Sequence, residues 1–355
     1  MIPGAMALST RTYTIEPVDM STADDDLVRE VAVFTNAVSS ERVPEDPPLS
    51  FDAFASRVRN RPSMVVIRDW LARSADGELV ARAFVVRFEA DTNQHLRECG
   101  IDVLPAHRRK GIGKQLLREI VAGAGDEDDI VLWFFTSDRV PAAAAFLERI
   151  GAKTTLTMHT NQLDLSTLDR DMVREWAAIN ADGYRLEWID GDIPDDKMQN
   201  VIVAYDAMNT APRGDSAMQD WNTTPEQLRE FDRSRRGMCR ERRLVLAIHD
   251  GTGETAGYTE LFYDPKVPHV IQQSGTAVIP AHRGHGLGKW LKAAMLERAL
   301  RDWPTARLIR TGNADSNAPM LATNTRLGFK PAWADSIWEV SIADARRYAA
   351  EGSLS

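Results

Sequence analysis

Two short stretches carry the residue types needed to grip an anion: Arg108-Arg-Lys-Gly-Ile-Gly113 and Arg283-Gly-His-Gly-Leu-Gly288. Both have the spacing Arg-x-x-Gly-x-Gly. Glycines let successive backbone N–H groups converge on an anion with no Cβ in the way. A helix that starts at such a turn adds its positive end, and Arg or Lys adds mobile charge. The chemistry this suits is the holding of phosphate. It is not a Walker loop, because the wide gap between glycines and the terminal Gly-Lys-Ser/Thr are missing. Nor is it a dinucleotide fingerprint, which needs βαβ order and an acidic residue about 20 positions on.

Each turn sits in a longer repeat. Residues 105–114 read Pro-Ala-His-Arg-Arg-Lys-Gly-Ile-Gly-Lys, and 280–289 read Pro-Ala-His-Arg-Gly-His-Gly-Leu-Gly-Lys. The offset, 280 − 105 = 175, is about half of the 355 residues, so the chain reads as two copies of one domain. An apolar strand precedes each turn (96–104 and 269–279) and a helix follows it (113–124 and 288–301). Hairpins are predicted around Asp76-Gly77 and Asp250-Gly251. Further helices are expected over 27–37, 141–150, 194–208, 226–236 and 319–327, and strands over 130–136, 154–165, 307–311 and 333–342. The first domain is placed at 12–167, a partly helical linker at 168–184, and the second domain at 185–345. The fold class is α/β (α+β), each copy a twisted mixed sheet flanked by helices.

The net charge of −9 argues against nucleic acid, which demands a broad basic face. No apolar run is long enough to span a bilayer, and no secretory leader is visible, so the expected compartment is the cytoplasm. Met1–Thr10 reads as a disordered lead. The two cysteines, Cys99 and Cys239, fall in different repeats and read as free thiols. His282 and His285 sit in the turn and His269 on the preceding strand, but phosphate contact or plain exposure suits them better than a metal, and no metal is expected; His107, which repeats as His282, reads as a turn-packing residue and not a catalyst. Trp188, Trp221, Trp290, Trp333 and Trp338 fit packing better than an acceptor pocket. The arginines over 233–243 read as a solvated helix end or a contact for an acidic ligand.

With these motifs in place the chain resembles the GNAT superfamily of CoA-dependent N-acetyltransferases, in a tandem arrangement like that of mycothiol-synthase-like members. The second repeat matches beyond its turn, through Thr311-Gly-Asn-Ala-Asp-Ser-Asn317 and the pattern Asn317-x-x-Met-x-x-x-Asn-x-x-Leu-Gly-Phe329. The resemblance implies acetyl-CoA as cosubstrate. Arg283, Gly284, His285, Gly286, Gly288 and Lys289 would hold its diphosphate, and the strand up to Val278 would receive pantetheine, with the Val278 amide facing the thioester carbonyl. Asn313 and Asn317 would border the thioester end. In the first repeat Val103, Arg108, Gly111 and Gly113 correspond.

The halves are unequal. In the first, the second motif has lost its asparagine, and Ala152 stands for the corner Phe, so the C-terminal half is expected to be the catalytic one. Acyl transfer needs the amine neutral and later a proton for the leaving thiolate. The tyrosine many relatives use as acid is replaced by Asn324 and Leu147. The first half has Glu98 and Asp102 on one face of the strand before its turn. In the second half the remaining candidates are Glu260 as base and Tyr258 as acid or substrate contact, on one face of a neighbouring strand. The expected reaction is direct transfer of an acetyl or short acyl group to a primary amine, the acceptor being a small molecule by analogy with the tandem relatives. A homodimer is left open. Two other readings stand beside it: a non-catalytic acyl-CoA-binding sensor, and a tRNA-dependent aminoacyl transferase.

Overall fold

The computed structural model describes residues 13–90 and 92–351; the reading of Met1–Thr10 lies outside the described residues. The first half runs β1 (Tyr13–Val18), α1 (Asp25–Arg42), α2 (Phe51–Arg59), β2 (Val65–Ser74), β3 (Leu79–Phe88), β4 (Leu96–Val103), α3 (Ile112–Ala124), β5 (Val131–Ser137), α4 (Pro141–Arg149) and β6 (Lys153–Asp164). After α5 (Arg170–Ala177) the order repeats: β7 (Tyr184–Asp190), α6 (Met198–Asp206), α7 (Pro225–Gly237), β8 (Glu241–His249), β9 (Thr255–Tyr263), β10 (Val270–Val278), α8 (Leu287–Asp302), β11 (Leu308–Ala314), α9 (Ala318–Leu327) and β12 (Lys330–Ser341). A final helix, α10, covers Ile342–Ala350.

Local chemistry explains most boundaries. Asp24 and Ser50 cap α1 and α2 by accepting from Leu27 and Ala53 N–H. Thr224 and Gln227 form a capping box on α7. The two edge strands β1 and β7, and helices α2 and α10, were not anticipated from sequence. Each is short, and its stability comes from neighbours rather than from its own periodicity.

Among the described residues all strands join one sheet in the order β1-β2-β3-β4-β5-β12-β6-β11-β10-β9-β8-β7. The repeats exchange their closing strands. β12, from the second half, pairs antiparallel with β5 of the first, and β6, from the first, pairs antiparallel with β11 of the second. β12 and β6 then pair with each other at the centre. Trp338, Val340, Ile342 and Ala345 are consequently buried in the core of the first half, and Leu163, Leu165, Val173 and Trp176 in that of the second. The 168–184 segment therefore does more than connect: α5 packs along α8. The halves are separable along the sequence but share their cores in space.

Side-chain alternation divides each sheet face. In the second half Val245, Ala247, Leu261 and Ile271 point to α8, while Leu244, Leu246, Ile248 and Tyr258 point to α6 and α7.

Candidate active site

The second half opens where two parallel strands part. β10 pairs with β11 only from Val270 to Gln272, opposite Leu308 to Arg310, although both strands run on. On its other side the β10–β9 ladder breaks between Gln273 and Thr276, leaving Ser274 and Gly275 as a bulge. A bulge frees backbone polar groups from the ladder and turns them aside. Ser274, Gly275 and Thr276 line a cavity with Thr311, Asn313 and Asn317 across the gap. Tyr258's phenol occupies the space a side chain at Gly275 would need. The first half shows neither feature as strongly: β3 and β4 pair in unbroken register from Val86–Glu98 to Ala81–Val103.

The glycine turn lies at the far end of the same strand. Gly284 (φ 89°) and Gly286 (φ 76°) both take the left-handed conformation, and Gly286 caps α8, whose free N–H groups start there. In the first half the residue matching Gly284 is Arg109, held at φ 63°, where a side chain costs about 1 kcal/mol. Arg283 donates from Nε to the Val278 carbonyl (3.2 Å) and from Nη2 to the Thr210 hydroxyl (3.2 Å). Arg108 makes the matching bond to the Val103 carbonyl (3.0 Å), but Glu41 takes both its terminal nitrogens, Nη1 at 2.8 Å. The arginine of the first turn is therefore neutralised and that of the second is not. His107 and His282 are packing residues, as expected: Tyr13 and Tyr184 reach their Nδ1 atoms at 3.3 and 3.1 Å. His285 and Lys289 are exposed beside the turn, Lys289 over the Trp176 ring. Gly288 lies against Val278, where an added methyl would make ordinary contact.

Val278 is at the turn end of β10, paired with Gly257, and the backbone groups freed from the β9 ladder are those of the bulge at Ser274 and Gly275. Asn313 and Asn317 do face the bulge together, and Asn317 also caps α9 by accepting from Met320 N–H. The Asn313 carbonyl oxygen is held by the Asn324 amide at 2.7 Å and the Asn161 amide at 3.4 Å, which leaves its own NH₂ for the cavity. Asn161 belongs to the exchanged strand β6, whose Leu156 and Met158 line the cavity. The first repeat thus completes the cleft of the second.

Glu260 and Tyr258 share the α6–α7 face of β9, as alternation required, but both are buried behind the bulge rather than lining the cavity. Tyr205 donates to Glu260 at 2.6 Å, and Arg242, paired with Asp232 at 2.8 Å, lies 3.8 Å from it. Burial raises the Glu260 carboxyl above its ordinary range, against the opposing pull of Arg242, Tyr205 and the Ser274 hydroxyl. Burial, and then the Glu260 charge, drive the Tyr258 phenol well up, so it keeps its proton. In the first half burial also raises Glu98 and Asp102.

Sequence reading missed Lys292. It is buried in the cavity wall, donates to Gln273 Oε1 at 3.3 Å and lies over the Phe329 ring. Burial pulls its pKa down to about 7. In sequence it falls beside the apolar stripe Leu287, Trp290, Leu291, Met295 and reads as a solvent-facing lysine; only the parting of the strands encloses it. The arginines over 233–243 are largely matched by carboxylates, among them Asp192, Asp232 and Asp302. Trp290, Trp333 and Trp338 are buried by packing. Cys99 is buried and Cys239 exposed, both free. Among the described residues no cluster of His, Cys, Asp or Glu fits a metal, and no helix is long and apolar enough to cross a membrane.

The model of the acetyltransferase (GNAT) family matches residues 32–152 and again 206–329. Mycothiol acetyltransferase of Nocardia farcinica (strain IFM 10152) is 27% identical over 277 residues, 73% of this chain and 78% of that protein. A tandem GNAT protein from the clavulanic acid biosynthesis pathway superposes with a TM-score of 0.75 at 26% identity, covering 93% of this chain and 98% of its own. A GCN5-related N-acetyltransferase from Sphaerobacter thermophilus shares the fold, with a TM-score of 0.65 at 13% identity over 94% and 96% of the two chains. Matched in both halves and built on the same tandem fold, this chain belongs to the GNAT family and is an acyl-CoA-dependent N-acetyltransferase.

Proposed function

We propose that the second half carries the reaction, moving an acetyl group from acetyl-CoA directly to a primary amine of a small molecule. The observation that carries this reading is the continuity of one strand: β10 has its bulge at mid-strand and leads at its end into an uncommitted glycine turn. The donor set fits the ligand. Arg283, the free N–H groups from Gly284 to Gly288, and Lys289 suit a diphosphate, and the gap between β10 and β11 suits an extended arm pairing with a strand edge. Acetyl-CoA, when bound, supplies an acyl group already activated as a thioester.

The chain's residues then divide the remaining tasks. The bulge at Ser274 and Gly275 and the Asn313 NH₂ orient the acyl group by hydrogen bonding, which in a site closed to water is worth several-fold more than in solution. Glu260 takes the amine's proton at its carboxylate, relayed by the Ser274 hydroxyl; its raised pKa brings it closer to neutrality, where a base works best. Lys292 holds a proton at Nζ on the opposite face and, titrating near 7, gives it to the departing thiolate as the C–S bond breaks. The first half is a positioning body, since Glu41 occupies its arginine. Support for a small acceptor comes from the likeness to the mycothiol enzyme. Calorimetric titration with acetyl-CoA tests the reading: one site per chain is expected, and two equal sites, or none, overturn it. Thiol release over a panel of small amines tests the chemistry.

A further inference from the structure

A second cavity, of about 370 Å³, lies between the halves. One wall is the end of α1, the loop 43–49 and α2 of the first half; the other is the end of β9 and the starts of β10 and β11 of the second, with Phe262, Gln272 and Arg310 facing it. Its charges do not balance. Arg57, Arg240 and Arg310 meet only Asp46 and Asp264, a surplus of one positive charge (three minus two). Arg310 is fully served: Asp46 takes it with both oxygens (2.5 and 2.6 Å) and Gln162 adds a third bond at 2.9 Å. Asp264 is left to two guanidiniums, at 3.4 Å from Arg57 and 3.9 Å from Arg240. The Nε atoms of both are buried with no partner. Two half-buried guanidiniums sharing one distant carboxylate are an uncompensated arrangement unless a further anion enters. Burial, and then the Arg57 charge, lower the affinity of Arg240 for its proton.

The cavity has a fixed relation to the candidate catalytic face. Phe262 is two residues from Glu260 on β9 and therefore on the same side of the sheet, about 7 Å along the strand. We propose that this cavity holds an anionic group of the acyl acceptor, so that the substrate class is a primary amine bearing a carboxylate or phosphate several bonds from its nitrogen. The inference rests on the reading of the second half as the active one. Arg57 and Arg240 would bind the anion by charge-assisted hydrogen bonds, while the amine extends along β9 toward Glu260 and the bulge. Because α1 and α2 supply the lid and Arg57, acceptor selection would need both repeats.

Calorimetry on the full chain, without acyl donor, tests this with 6-aminohexanoate, 6-aminohexyl phosphate and hexylamine as probes. At least one anionic probe is expected to bind ten-fold or more tightly than hexylamine, and the tighter of the two names the anion. Arg240→Met and Arg57→Met should each remove that preference and leave hexylamine and acetyl-CoA affinities unchanged. Equal binding of all three probes, or a preference that survives both substitutions, overturns the proposal. So does an anionic probe that binds yet is not N-acetylated, by mass spectrometry, while hexylamine is. Failure of the wild type to bind acetyl-CoA would instead refute the reading of the glycine turn, since the probe affinities are measured independently of it.

Discussion

Glu41 accepts from both terminal nitrogens of Arg108, whereas among the described residues the terminal nitrogens of the equivalent Arg283 meet only the hydroxyl of Thr210. One carboxylate thus separates two turns that are almost identical in sequence. Its charge would oppose a diphosphate at the first turn and is absent at the second. Gly286→Glu is therefore expected to raise the Kd for acetyl-CoA by at least about a hundredfold, through a strained φ and the several kcal/mol of like-charge repulsion such a residue brings. Gly111→Glu should leave it unchanged. Equilibrium titration of both variants checks the pair; equal losses would mean that the first turn also binds.

Glu260 as base has a pH signature. The carboxylate must be ionised to accept a proton, so kcat/KM should fall as pH drops through its pKa. That midpoint is expected above the ordinary 4.5 because burial opposes the charge. Glu260→Gln should remove the acidic limb and lower kcat by about a hundredfold or more. An unaltered pH–rate profile would exclude it.

Lys292 titrates near 7 in the folded chain against 10.5 in a free lysine. The unfolded chain therefore binds more protons between these values, and this group makes stability rise with pH from about 7 to 10.5. Below 7 the lysine is charged in both states and its penalty is constant and greatest. Lys292→Met should raise the Tm most at pH 7 and below, with the gain fading by pH 10.5, while activity falls. Thermal melts across that range, with parallel assays, separate the stability effect from the proton-holding role.

Trp338 belongs to the second repeat but fills the core of the first, its Nε1 donating to Thr136 at 2.9 Å. Trp338→Ala should cost about 3–5 kcal/mol. Hydrogen exchange should show the loss in β5 and α3, far along the chain, before β9 and β10. Loosening confined to residues near 338 in sequence would contradict the strand exchange.

What the sequence determined by itself was periodic or local. The repeat at an offset of 175, the turns, the helices that follow them, and the left-handed sites at Gly111 and Gly286 all depend on neighbours a few residues apart. The split of β9 between Glu260 and Thr259 faces follows from alternation in the same way. What only the tertiary structure decided was pairing between distant segments. β6 and β12 are both 12 residues long, and nothing within either strand states which of the two open sheet edges it will join; that is set by complementary burial in two cores. The support of Asn313 by Asn161 follows from that choice. The enclosure of Lys292 and the clamp of Glu41 on Arg108 likewise join residues distant along the chain, whose meeting costs chain entropy that only the assembled fold repays.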